Sequence, residues 1–126
     1  MHVMPVMMNV TVQIGLGGTV QSMVGSGIQS VTRLSIGTYK IKMQAATNFT
    51  RLYAAEGSMQ SPPAGLSGIS SIEVQNAPNA SVAIAAGGEL TIKTLSPAGA
   101  LADPASGSAI NILMILSNSS VVIGGE

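Results

Sequence analysis

The side chains able to do chemistry are few and scattered. The acids are Glu56, Glu73, Glu89, Asp103 and Glu126, the bases are Arg33, Lys40, Lys42, Arg51 and Lys93, and the one histidine is His2. A metal centre needs His, Cys or carboxylates in a cluster, and no two of these residues share a local motif. There is no cysteine, so neither a zinc ribbon nor a disulfide framework is expected. Glu73 and Glu89 could meet across strands as an acid–base pair. Both, however, fall on polar strand faces, where carboxylates are ordinarily solvated or paired with lysine. A serine nucleophile needs a placed imidazole, and His2 lies in a segment read below as an arm. Asp103 precedes Pro104, a common way to start a turn. Gly15-Leu16-Gly17-Gly18 is glycine-rich like a dinucleotide loop, but it lacks the third glycine spacing and any βαβ context, so it reads as a flexible joint. No catalytic, metal or cofactor residue is expected, and the chain reads as a non-enzyme with no cofactor.

Two further patterns invite a binding role. Lys40 and Lys42 share one face of a predicted strand, and Arg33 falls on the strand paired with it. Together they form a small candidate basic patch for an acidic partner, with a solvated strand face as the plainer reading. Asn9, Asn48, Asn79 and Asn118 each begin an Asn-X-Ser/Thr sequon, as chance provides in a chain this rich in Ser, Thr and Asn.

Composition narrows the classes. The chain has 126 residues, with five Lys plus Arg against five Asp plus Glu. Charged residues make up 8%, where about 25% is usual. Five dispersed cations are too few for binding to phosphates, and three aromatics are too few for base stacking, so no nucleic-acid partner is expected. Mean hydropathy is +0.47. The longest apolar run, residues 110–116, is interrupted by Asn111 and falls far short of the ~20 residues a spanning helix needs. The first residues lack a basic signal-peptide start. A soluble protein outside the general secretory route is therefore expected, with no membrane partner. With so little charge to cover a small domain, part of the exterior is expected to lie against other chains.

Strand periodicity dominates. Residues 6–14 place Val6, Met8, Val10, Val12 and Ile14 on one face. Residues 1–24 carry no Asp, Glu, Lys or Arg and five of the eight methionines. They read as an extended N-terminal arm that ends at Gly25-Ser26-Gly27 and lies on a neighbouring subunit. Residues 28–34 and 38–44 form a hairpin around Ser35-Ile36-Gly37, with Tyr39, Ile41 and Met43 inward. Phe49, Leu52 and Tyr53 suggest a short helical turn capped by Thr47 or Asn48, followed by a strand over 56–61. Pro62-Pro63 and Gly65 force a loop. Residues 69–75 alternate, with Ile72 and Val74 inward, and Asn76-Ala77-Pro78-Asn79 turns the chain. A short strand near 82–86 precedes another over 89–95, with Leu90, Ile92 and Thr94 on one face. A long loop covers 96–108, and residues 109–117 read as a central strand buried on both faces.

These elements predict an all-β, single-domain β-sandwich or small jelly-roll or barrel-like body with an extended N-terminal arm. The arm covers 1–24, the body 25–121 and a tail 122–126. The expected interaction residues are Val6, Met8, Val10, Val12 and Ile14 on the arm, with Arg33, Lys40 and Lys42 on the body.

Three segments near the start of the body carry a family resemblance: Gly25-Ser26-Gly27-Ile28-Gln29-Ser30-Val31-Thr32-Arg33, Gly37-Thr38-Tyr39-Lys40-Ile41-Lys42 and Phe49-Thr50-Arg51-Leu52-Tyr53. Asp103-Pro104-Ala105-Ser106-Gly107-Ser108 and Leu116-Ser117-Asn118-Ser119-Ser120-Val121 close it in the same order. Over about 25–121 the chain resembles small virion proteins of tailed bacteriophages, the head-decoration or cement proteins. That resemblance implies a β-rich structural protein made in the host cytoplasm and carried on the outer capsid surface of the virion. It implies the major capsid protein as partner, and self-association as a trimer or, second, a dimer. It supplies no catalytic residue. The competing readings are a receptor- or glycan-binding module of a phage fibre or spike, a small hydrolase or lyase, and an assembly factor absent from the finished particle.

Overall fold

The computed structural model describes residues 5–43, 49–75 and 89–118. They form eight strands in two antiparallel sheets: β1 (Pro5–Ile14), β2 (Val20–Gly25), β3 (Ile28–Ser35), β4 (Thr38–Met43), β5 (Phe49–Gln60), β6 (Ser71–Gln75), β7 (Glu89–Leu95) and β8 (Ala109–Asn118). Sheet A runs β2-β1-β8-β5 and sheet B runs β3-β4-β7-β6. The sheets are separate layers and do not close into a barrel, so the sandwich form of the expected all-β fold is the one present.

Alternation explains the layers. In β4 the side chains of Tyr39, Ile41 and Met43 are buried, and in β7 so are Leu90, Ile92 and Thr94. Sheet A answers with Met8, Val10, Val12 and Ile14 from β1 and Ile110, Ile112 and Met114 from β8. A period of two places each set on one face, and facing the two sets together removes them from water. Gly57 of β5 is part of that fit: a Cβ there would sit 2.5 Å from Ile72 Cγ2. Ala55, Met59, Ile72 and Val74 pack around the core margin.

The expected hairpin of β3 and β4 is present, with Val31 opposite Ile41. Its turn relies on Gly37 at φ 61°, a conformation that L side chains adopt at a cost. Three expectations are corrected. First, β1 is not part of an arm. It pairs along its length with β8 and along its second half with β2, and four of its side chains fill the core. The apolar face of β1 belongs inside because sheet B presents a matching apolar face. Second, residues 49–54 are strand, not a helical turn. Register shifts between Phe49 and Arg51 and between Leu52 and Ala54 break the alternation that would have marked it. Third, β8 is central but has only one buried face: Asn111, Leu113 and Ile115 alternate with the buried residues and are half-exposed. His2, the turn at 76–79, the strand near 82–86 and the tail lie outside the described residues.

Four connections meet at one end of the sandwich: 15–19, 36–37, 61–70 and 96–108. The registers place them together, since Gln13 and Gln60 both lie opposite Ala109, Thr38 opposite Lys93, and Ser71 opposite Leu95. Backbone bonds lace this end. Gly107 N donates to Ile14 O at 2.8 Å, Ala105 N to Ser67 O at 2.9 Å and Thr94 N to Gly37 O at 2.9 Å.

Candidate interaction surface

The candidate residues separate by strand parity. Lys40 and Lys42 point outward from sheet B, whereas Arg33 lies opposite Tyr39 and so on the inward side of β3. The expected three-residue basic patch therefore does not form. Lys40 Nζ stands 3.5 Å from Glu89 Oε2. Lys42 faces Glu89 across the sheet, and Glu73 faces Lys93. Glu73 and Glu89 are each set against lysine rather than against each other, so the acid–base pair weighed above is not assembled. The outer face of sheet B is thus a lattice of alternating charge.

Arg33 instead meets Asp103 at the loop end. Its Nε donates to Oδ1 at 3.1 Å and its Nη2 to Oδ2 at 2.7 Å. Asp103 Oδ1 also accepts from the Gly37 backbone N–H at 2.8 Å. This is the two-pronged geometry that a planar guanidinium and a carboxylate prefer. The guanidinium bond holds the Asp103 carboxyl below the usual carboxylate range; burial opposes it with the next largest effect, and the Gly37 N–H adds a smaller lowering. The guanidinium bond also raises Arg33. Beside the pair, Tyr39 Oη donates to Gly18 O at 2.6 Å. Burial first, and the nearby Asp103 charge second, push the Tyr39 hydroxyl up to about 12. Asp103 does not start the expected turn, which falls instead at residues 106–107; its carboxylate joins β3, the β3–β4 turn and the 96–108 connection. Proximity to Arg33 could not be found locally, because 70 residues separate the two in the chain.

The arm residues expected to touch a partner are mostly unavailable. Met8, Val10, Val12 and Ile14 are buried in the core. Val6 lies opposite Leu116 in β1 and β8, and its side chain is outside the described residues. The other face of β1 is the one that looks outward.

On that outer face of sheet A, Met7 and Val24 are 66% and 73% exposed, near half-exposed Leu113 and Ile115. Asn9, Thr11 and Gln13 accompany them, and Thr11 Oγ1 donates to Asn111 Oδ1 at 2.8 Å. A shallow depression of about 200 Å³ lies there, lined by Asn9, Glu56, Ser58, Asn111 and Leu113 among others. Glu56 is the one acid or base among the outward side chains described on this sheet. Sheet B, by contrast, carries Lys40, Lys42, Glu73, Glu89 and Lys93 on its outer face. Among the described side chains, charge is thus concentrated on the sheet B face.

No group of three or more His, Asp or Glu able to hold a metal ion occurs among the described residues. No described helix is long and apolar enough to cross a membrane. Comparison with protein-family models, curated proteins and solved structures finds no match for the chain.

Proposed function

We propose that this chain is a structural protein of a bacteriophage head, bound to the outer capsid surface and joining neighbouring capsid subunits. The observation that carries the reading is the segregation of charge. Among the described side chains the outer face of sheet A carries one charged residue, Glu56, and holds exposed Met7 and Val24, while the opposite face carries five. A protein fixed on a larger body needs one face for attachment or self-association and one for solvent. The resemblance of residues 25–121 to decoration proteins supports the same reading. Sheet A supplies the self-association face in a trimer or dimer, and sheet B faces water. Cohesion comes from several modest contacts per oligomer, added through effective concentration.

The test is co-sedimentation of the purified chain with mature empty heads from the phage or prophage that encodes it. Saturable uptake of hundreds of copies per head is expected. Absence of uptake, or a few copies only, overturns the reading. A second reading, a glycan-binding module, is favoured by the hydrogen-bonding side chains of Asn9, Glu56, Ser58 and Asn111 in the lining of the sheet A depression. Binding of free glycans that is lost in Asn111→Ala would move it to first place.

A further inference from the structure

Among the described residues seven large apolar side chains stand exposed, and five of them belong to the loop end: Leu16, Leu34, Ile36, Leu66 and Leu101. Leu16 and Leu66 are each 82% exposed. Isolated exposed leucines are ordinary. One from each of four connections, with Leu34 at the end of β3 beside them, all at one end of the fold, are not.

These side chains stand on fixed backbone. Leu16 is two residues from Gly18, whose position leaves no room for a Cβ beside Asp103. Ile36 adjoins Gly37, which is bonded to Asp103. Leu101 pairs with Leu95 and is followed by Ala102, whose N–H donates to Thr94 O at 3.1 Å. Leu66 precedes Ser67, whose carbonyl accepts from Ala105. Little backbone freedom is left to lose on docking, which lowers the cost of using a small surface.

The chemistry of the end selects its partner. The four connections contain one ionised residue, Asp103, and Arg33 neutralises it. They contain no Lys, Arg, Trp or Tyr, the residues that seat a protein at lipid headgroups. A second copy fits poorly as well. Two sheets about 10 Å apart and four strands wide end in a patch of a few hundred Å², against about 800 Å² per partner in a stable complex. A convex end of that size gains enough contact only when it is surrounded. We propose that the loop end is an apolar plug that inserts into an uncharged recess between capsid subunits. The proposal rests on the capsid-surface reading above and names the part of the chain that reaches the shell.

The test compares the chain with a Leu16→Ser/Leu66→Ser variant and a Lys40→Ser/Lys93→Ser control in co-sedimentation with the same empty heads. Both substituted leucines are solvent-exposed, so the far-ultraviolet circular dichroism and Tm of the variant should match the parent. Head affinity is expected to fall about a hundredfold in the leucine variant, roughly tenfold per leucine, and less than threefold in the control. Equal binding by parent and leucine variant overturns the plug while the capsid reading stands. No binding by the parent overturns both. Flotation of the parent with phosphatidylcholine vesicles, lost in the leucine variant, overturns the plug in favour of a bilayer.

Discussion

Asp103 holds the Arg33 guanidinium through both carboxylate oxygens, at 3.1 and 2.7 Å, and spends a further bond on the Gly37 N–H. The pair is partly exposed, so its charge attraction is screened. Its weight lies in geometry, because it joins β3, the β3–β4 turn and the 96–108 connection. Asp103→Ala should therefore lower Tm by several degrees and by more than Arg33→Ala, since only the former also frees the Gly37 N–H. Thermal scans of both variants decide the order, and equal losses would contradict it.

Protonation should act on the same carboxylate. Its pKa is depressed in the folded chain, while an unfolded aspartate titrates near ~3.9. The contribution to stability is therefore present above about pH 4 and is lost as pH falls through the folded value. Urea midpoints measured from pH 6 to pH 2 should fall more steeply for the parent than for Asp103→Ala.

Tyr39 sets the alkaline limit. Its hydroxyl is raised to about 12 in the folded chain, against about 10 when unfolded. A raised value means stability that is complete below about pH 10 and drains as pH approaches 12. Absorbance at 295 nm in a Tyr53→Phe variant should show ionisation well above pH 10, coincident with loss of structure. Tyr39→Phe should cost about 1–2 kcal/mol, because Gly18 O loses a buried partner.

Gly37 should tolerate almost nothing. Its φ is 61°, and a Cβ would lie 2.7 Å from Ala102 N and 2.8 Å from Thr94 O. Gly37→Ala should destabilise by about 2 kcal/mol or more. Gly17 also has positive φ, but nothing lies within 4 Å of its Cβ position, so Gly17→Ala should cost about 1 kcal/mol. Denaturant titrations of the two separate crowding from backbone strain.

Ile14 distinguishes a core strand from an arm. It is fully buried, so Ile14→Ala should cost about 2–5 kcal/mol. Deleting residues 1–14 should abolish cooperative unfolding altogether, since β8 would lose one of its two neighbours. A truncated chain that still melts cooperatively would sink this account.

Much of the sandwich was legible because period-two alternation is a local property. Tyr39, Ile41 and Met43 declared β4, and Leu90, Ile92 and Thr94 declared β7, with the buried faces as expected. Val10, Val12 and Ile14 declared a strand equally well, but not its partner, which lies about 100 residues away, as the Thr11–Asn111 bond records. Lack of charge then suggested an arm, although it is equally the mark of an interior strand. Arg33 misled through register: the irregularity between Arg33 and Ser35 hides which face it takes. The loop end was legible only as turns. That its leucines share one end follows from pairings between distant strands, which spacing along the chain does not encode.

The central place of β8 also orders events during synthesis. Sheet A holds β1 and β5 on either side of the last described strand, so neither can complete its pairing until residues 109–118 have left the ribosome. Until then each presents an open edge able to join a strand from another nascent chain. Closure is delayed until β8 has been made, and folding through such distant pairings is slow. A stop codon anywhere before Ala109 would leave those two edges permanently open, and such fragments should aggregate rather than accumulate as smaller folded proteins.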